Sequence, residues 1–290
     1  MSYSDTLHDT IVALSEETPQ EAAMSLRKHT ELPNVTQLHQ MMEHVKGAFF
    51  PHFFSRDISV DTCSIHSILR KQAACGIAFT RNVDPCSVQA EADAKTLQFI
   101  RQLPEIKQIL LTDVEAVTQN DPAASDFTEA VLCYPAVKVM TYYRTAHALH
   151  TLGIPVLPRI ITEMAHSETG IDIHPAARIG SHFAIDHGTG VVIGETTVVG
   201  NHVMLYQGVT LGARNFTYDH EGLPLNTPRH PVIEDHVTIY SNTSVLGRIR
   251  IGHDSIIGGN VWLTHDVPPH SRVLQSKADQ NRSAGNGNAD

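Results

Sequence analysis

No stretch of this 290-residue chain approaches the roughly 18 consecutive apolar residues that a membrane-spanning helix needs. The start, Met1-Ser2-Tyr3-Ser4-Asp5, offers neither the basic nor the apolar segment of a secretory leader, so a cytoplasmic protein is expected. Cations are in the minority, 21 Lys and Arg against 31 Asp and Glu, and the net charge of −10 argues against nucleic acid as a partner. The acidic groups are spread rather than blocked, which reads as a solvated surface. Cysteine is scarce: Cys63, Cys75, Cys86 and Cys133 show no metal-type spacing and are expected to be reduced and structural. Histidine is plentiful, at 19 residues, yet no Cys/His cluster occurs. No metal is therefore expected, and most histidines are assigned to surfaces and corners.

What the chain does have is a period. An aliphatic residue recurs at every sixth position: Ile173, Ile179 and Ile185, then Ile193, Val199, Leu205 and Leu211, and again Ile233, Ile239, Val245, Ile251, Ile257 and Leu263. Two residues earlier sits a small or β-branched side chain, as at Ala177, Thr197, Val203, Val209, Val237, Thr243, Ser255 and Val261. Six suits neither a helix nor an alternating strand; it is the spacing of short strands stacked as a parallel β-helix. Three strands per coil send each sixth residue inward, where burial is worth about 1.5–3 kcal/mol apiece. Glycines such as Gly180, Gly194, Gly200, Gly252 and Gly258 follow directly, where a corner must turn. A β-sandwich with chance spacing is the plainer alternative, and thirteen positions in phase argue against it.

The period breaks twice. Between Ile185 and Ile193 the gap is eight, within Asp186-His187-Gly188-Thr189-Gly190, and after Leu211 the chain leaves on a polar excursion (213–231) that ends Arg229-His230-Pro231. Insertions in a solenoid map to loops on its binding face, so the chemistry is expected there.

Residues 1–165 read differently. Apolar residues at three- and four-residue steps predict helices over Pro19–His29, Thr36–Val45, Ala90–Leu103, Glu105–Asn120 and Tyr134–Leu152. The expected fold is α+β: an all-helical N-terminal domain (1–165), a parallel β-helix (166–275) joined through Glu168-Thr169-Gly170, and a polar, disordered tail (276–290).

A hydroxyl must lose its proton as it attacks an acyl group, and a neutral imidazole is well matched to accept it near pH 7. His187 occupies the eight-residue gap. Asp172, fifteen residues earlier, is expected one coil away, where its carboxylate could fix the imidazole tautomer and stabilise the imidazolium. Asp-His pairs are also common on ordinary surfaces, and spacing alone leaves both readings open.

The segments Ile171-Asp172-Ile173-His174-Pro175-Ala176-Ala177, Asp186 through Thr196, Gln207-Gly208-Val209-Thr210-Leu211-Gly212 and Arg229-His230-Pro231 resemble, in order, the motif series of the serine acetyltransferases. Asp121-Pro122-Ala123 is similar to that family's helical-domain motif, and the resemblance runs from about Asp113 to Val273. It implies a left-handed β-helix and a homotrimer or dimer of trimers. It implies His187 as general base oriented by Asp172, Asp186 and Asp121 on the ammonium of L-serine, and Arg229 with His230 on its carboxylate. Gly212, Ala213 and Ser241 would lie against acetyl-CoA as co-substrate, which is attacked directly without an acyl-enzyme. Plainer roles exist for several: a turn or helix cap at Asp121, packing beneath the loop for His230, a tight corner at Gly212. His174 before Pro175 reads as a corner residue.

Two features depart from the family. A long segment, Ala213 to Pro228, replaces a short glycine-rich loop, and the chain ends Asn288-Ala289-Asp290 where members that dock into cysteine synthase end in isoleucine. Burying a terminal carboxylate pair in a pocket shaped for an aliphatic group is costly, so that complex is not expected through this terminus. The readings that remain beside O-acetylation of serine are another small hydroxyl acceptor such as homoserine, a zinc-dependent hydratase resembling γ-class carbonic anhydrases, and a non-catalytic scaffold.

Overall fold

The computed structural model describes residues 3–24, 31–120, 126–215, 220–222, 225 and 227–275. Asp121, part of the excursion and the whole tail, including Asp290, lie outside these residues. Nine α-helices come first among the described residues: α1 (Tyr3–Ser15), α2 (Pro19–Met24), α3 (Val35–Phe49), α4 (Pro51–Phe54), α5 (Ile58–Arg81), α6 (Gln89–Asn120), α7 (Phe127–Cys133), α8 (Pro135–Thr151) and α9 (Leu157–Thr169).

The helical half holds α1, α4, α7 and α9 beyond the segments expected from the sequence, and two further differences bear on its packing. The 24 residues of α5 were not anticipated; Asp57 caps its start by accepting from the Ser59 and Val60 N–H groups, and Asn82, at φ 56°, ends it. Its buried face carries Ile65, Leu69 and Ile77 together with the small residues Ala73, Ala74, Gly76 and Ala78. A Cβ on Gly76 would lie 2.8 Å from the Pro155 carbonyl oxygen, so the close crossing depends on the glycine. The second difference is that α6 runs unbroken through Pro104. Leu103, Ile106 and Leu110 are buried on either side, and packing against α5 and α8 outweighs the one missing backbone hydrogen bond. Of the cysteines only Cys75 is buried; Cys63, Cys86 and Cys133 are exposed and contribute little to packing.

From Asp172 the chain winds into three parallel faces. The first is β1 (Asp172–Ile173), β4 (Val192–Ile193), β7 (Thr210–Gly212), β10 (Ser244–Leu246) and β13 (Trp262–Leu263). The second is β2 (Arg178–Ile179), β5 (Val198–Val199), β8 (Val232–Ile233) and β11 (Arg250–Ile251). The third is β3 (Ala184–Asp186), β6 (Met204–Tyr206), β9 (Thr238–Ile239), β12 (Ile256–Ile257) and β14 (Arg272–Val273). This is the left-handed β-helix of hexapeptide repeats. All thirteen sixth-position aliphatics are buried, Ile179 the most exposed of them at 7%. Stacking puts like above like, so Ile193 pairs with Leu211 and Leu211 with Val245.

The helices end at Thr169, and Gly170, at φ 70°, turns the chain into the first coil. Two buried charges then join the halves. Arg144 of α8 grips Asp113 of α6 with paired hydrogen bonds of 3.0 Å and reaches the Ile179 carbonyl at 2.6 Å, while Asp113 also accepts the Phe183 N–H at 3.1 Å. Tyr143 adds a 2.6 Å bond to the Ala177 carbonyl. Burial pushes the Asp113 carboxyl upward, against the pull of Arg144 and the Phe183 N–H.

Removing one partner of such a pair leaves the other charge buried and uncompensated. Arg144→Ala is expected to lose roughly 3–5 kcal/mol in urea unfolding followed by circular dichroism. A loss below about 1 kcal/mol would mean that water reaches Asp113 once the guanidinium is gone.

Candidate active site

The corner between the third and first faces carries His187. The register locates the extra residues: Asp186 is in step with Tyr206, and pairing resumes where the Gly208 N–H meets the Thr189 carbonyl at 2.9 Å. His187 and Gly188 are the insertion, and the His187 side chain stands out of the corner, 73% exposed. Gly188, at φ 89°, makes this possible, since a Cβ there would lie 2.4 Å from Cδ1 of Ile171. The left-handed backbone of His187 itself, φ 56°, is additional to the coil, whose own left-handed position on this corner is held by Gly190, Gly208, Asn242 and Asn260.

Among the described residues, the carboxylate nearest His187 is Asp186, 3.9 Å from Nε2. Asp172 does not meet it: no hydrogen bond or ion pair joins the two, and the expected stacking into a closed dyad is not formed in the single chain. The Asp172 carboxylate lies instead with His166 and Glu163 of α9, their donor atoms all within 4.8 Å of one another. The physical reason is local. β1 is the first strand, packed directly on α9, and the insertion lifts His187 away from the coil.

Arg229 and His230 sit at a different corner, between the first and second faces. Their anchor is Thr196, whose Oγ1 accepts the N–H groups of Arg229 (2.9 Å) and His230 (3.1 Å). Glu195 pairs with the Arg229 guanidinium. The His230 ring is only 7% exposed and lies flat over Gly194, where a Cβ would come within 2.2 Å of Nε2. Its Nδ1 accepts from the Thr196 N–H at 3.1 Å, which fixes the Nε2–H tautomer. Burial, reinforced by Arg229, lowers its pKa to about 4, so the ring is neutral near pH 7. His230 can donate one hydrogen bond to a carboxylate but brings no charge.

Gly212 closes β7 on this same corner, with Ala213 next to it. A Cβ on Gly212 would lie 2.9 Å from Leu246 Cδ2, the end of a flexible side chain, so glycine packs closely there. Ser241 is on the other corner, beneath Thr189 and Gln207, in the row where the Asn242 N–H meets the Gln207 carbonyl. The residues expected at the site thus fall in two clusters on opposite edges of the first face, separated by about 10 Å of extended strand. One holds His187, Asp186 and Ser241; the other holds Arg229, His230, Gly212 and Ala213.

Three residues without an expected role enter the site. Glu195 and Thr196 position Arg229, and Gln207 has a buried Oε1 with no hydrogen-bond partner, between Thr189 and Ser241. Glu195 and Thr196 lie 33–34 positions from Arg229 and meet it only because the excursion returns to the coil it left.

A coil of this kind with an imidazole raised on one corner defines a hexapeptide-repeat transferase. Residues 230–265 match the family described as bacterial transferase hexapeptide (six repeats). A plasmid-borne serine acetyltransferase of Synechococcus elongatus is 43% identical over 263 residues, covering 85% of this chain and 82% of that protein. Two solved structures are also similar. Serine acetyltransferase isoform 3 of Entamoeba histolytica, in complex with cysteine, has a TM-score of 0.71 and 32% identity over 91% of this chain and 85% of that one. Serine acetyltransferase 1 of the same organism, in complex with L-cysteine, gives 0.72 and 31% over 90% and 93%. The chain belongs to the serine acetyltransferase family.

The state of His230 is measurable through stability. Its folded pKa of about 4 lies below the ordinary 6.5, so its contribution is complete above pH 6.5 and is lost as pH falls toward 4. Between those values the wild type is expected to lose roughly 1–3 kcal/mol more than His230→Asn in urea titrations at stepped pH. Parallel pH profiles would place the proton on His230 at an ordinary pKa.

Proposed function

We propose that this chain transfers the acetyl group of acetyl-CoA to the hydroxyl of L-serine, giving O-acetylserine and the free thiol of CoA. The observation that carries the reading is His187, placed by a two-residue insertion on an otherwise regular coil. Its imidazole takes the hydroxyl proton as the oxygen attacks the thioester carbonyl, and returns it to the thiolate that leaves. Asp172 orients the ring from the neighbouring strand once substrate draws the two together; catalytic hydrogen bonds are commonly long before substrate binds. Asp186 and Asp121 hold the ammonium. Arg229, steadied by Glu195, holds the carboxylate with His230 donating from Nε2. Gly212, Ala213 and Ser241 lie along the path of CoA.

Because the half-sites are on opposite edges of one face, the complete site is assembled between copies. His187 and Asp186 of one chain face Arg229 of the next around a homotrimer, which can pair into a dimer of trimers. The charge sets complement one another across such a junction, anionic against the ammonium and cationic against the carboxylate.

A thiol-release assay with acetyl-CoA and a panel of hydroxy amino acids tests the acceptor; serine is expected to lead, and a homoserine preference would reassign it. His187→Ala should lower kcat by about 10²–10⁴-fold with CoA binding nearly intact, and wild-type-like turnover in the folded variant would end the mechanism. A mixing experiment tests the shared site. His187→Ala and Arg229→Ala chains, each inactive alone, should recover about a quarter of wild-type activity when unfolded and reassembled together, since one junction in four joins two intact halves. No recovery would place both residues in one chain's site.

A further inference from the structure

The third corner of the coil, between the second and third faces, belongs to neither half-site. Along it runs a row set by the pairing of the third face: His182, His202, His236, Asp254 and His270, each one coil beyond the last. All five have left-handed backbone, φ between 55° and 59°. The first three rings stack, His182 on His202 at 4.2 Å and His202 on His236 at 4.8 Å. The stack ends at Asp254.

Beyond it the arrangement changes. The Asp254 Oδ2 lies 2.8 Å from Nδ1 of His253 and 3.7 Å from Nδ1 of His270, and the two rings meet edge to face rather than stacking. The first distance is a hydrogen bond; the second is too long for one. Two ligand atoms on a tetrahedral ion with bonds of about 2.1 Å are separated by about 3.4 Å, close to the His270–Asp254 gap and reached from the His253–Asp254 contact by a small rotation. The three donors lie within 4.8 Å of one another, and all three side chains are open to solvent. Their backbones are fixed by the coil: the His270 N–H donates to the His253 carbonyl at 2.8 Å, and the Asp254 N–H to Asp235 at 3.0 Å.

We propose that His253, Asp254 and His270 bind a borderline divalent transition-metal cation, of which Zn2+ is the type, on the outer corner of the last two coils. Two imidazoles and one carboxylate are a common donor set for such ions, and solvent takes the fourth position. Binding displaces the proton that His253 shares with Asp254, so affinity falls as pH drops. The ion ties β14 to β12, securing the final coil of a stack in which each coil is held only by its neighbours. No such cluster is visible in the sequence, because His270 lies sixteen residues from Asp254.

The test uses the full chain, stripped with chelator and titrated with Zn2+ in a calorimeter, with bound metal counted by mass spectrometry after desalting. The expected result is one equivalent per chain at low-micromolar or tighter affinity, accompanied by a rise in Tm. His253→Gln and His270→Gln should each weaken it by more than the roughly 10–100-fold that loss of a mere supporting contact costs. Acetyl transfer should be unchanged in both variants, which also shows that they fold. Absence of saturable binding overturns the proposal. Saturable binding that survives both substitutions overturns it equally, by placing the ion on other histidines.

Discussion

The buried pair of Asp113 and Arg144 is the joint on which the arrangement of this protein depends. A solenoid has no intrinsic end, and its first coil must be covered by something that satisfies its upward-facing backbone groups. Here Arg144 takes the Ile179 carbonyl, Asp113 the Phe183 N–H and Tyr143 the Ala177 carbonyl. Charged groups suit this task because each reaches several backbone atoms at once, and the pairing of the two charges offsets the cost of removing them from water. The first coil, fixed in this way, is the one that carries His187.

The coil below supplies three corners, and each carries a different set of side chains. One raises His187 and continues down to Gln207 and Ser241. The next gathers Glu195, Thr196, Arg229 and His230 where the excursion rejoins the stack. The third carries the histidine row. Stacking makes this division possible: parallel register repeats a backbone environment at each coil, so a change of side chain at one level leaves its neighbours in place. Function can then be set by local departures from the repeat, the Gly188 reversal above all.

His230 shows how burial changes what a residue can do. Read beside Arg229, a histidine looks like a second cation for a carboxylate. Over Gly194 and against Thr196 it is a neutral donor with one free N–H. The positive charge at this corner comes from arginines, Arg229 paired with Glu195 and Arg248 held on the Thr196 and His230 carbonyls.

The six-residue period, its phase and its two interruptions were legible in the chain, because burial of every sixth aliphatic is a local pattern that no distant contact alters. The helical half was legible in part: apolar steps gave α3, α6 and α8, while α5 and α9 were passed over although their buried residues recur at helical spacing. The close crossing at Gly76 of α5 and the passage of α6 through Pro104 were decided by packing between helices, which a one-dimensional pattern does not contain. Residue types at the site could be named from the motifs, His187 and Arg229 among them. Which of them share an edge, that Asp172 turns toward α9, and that His253, Asp254 and His270 meet were decided by the tertiary structure. The reason is geometric: coil register brings together residues sixteen to thirty-four positions apart, and the two-residue insertion and the long excursion shift that register by amounts that only the folded stack fixes.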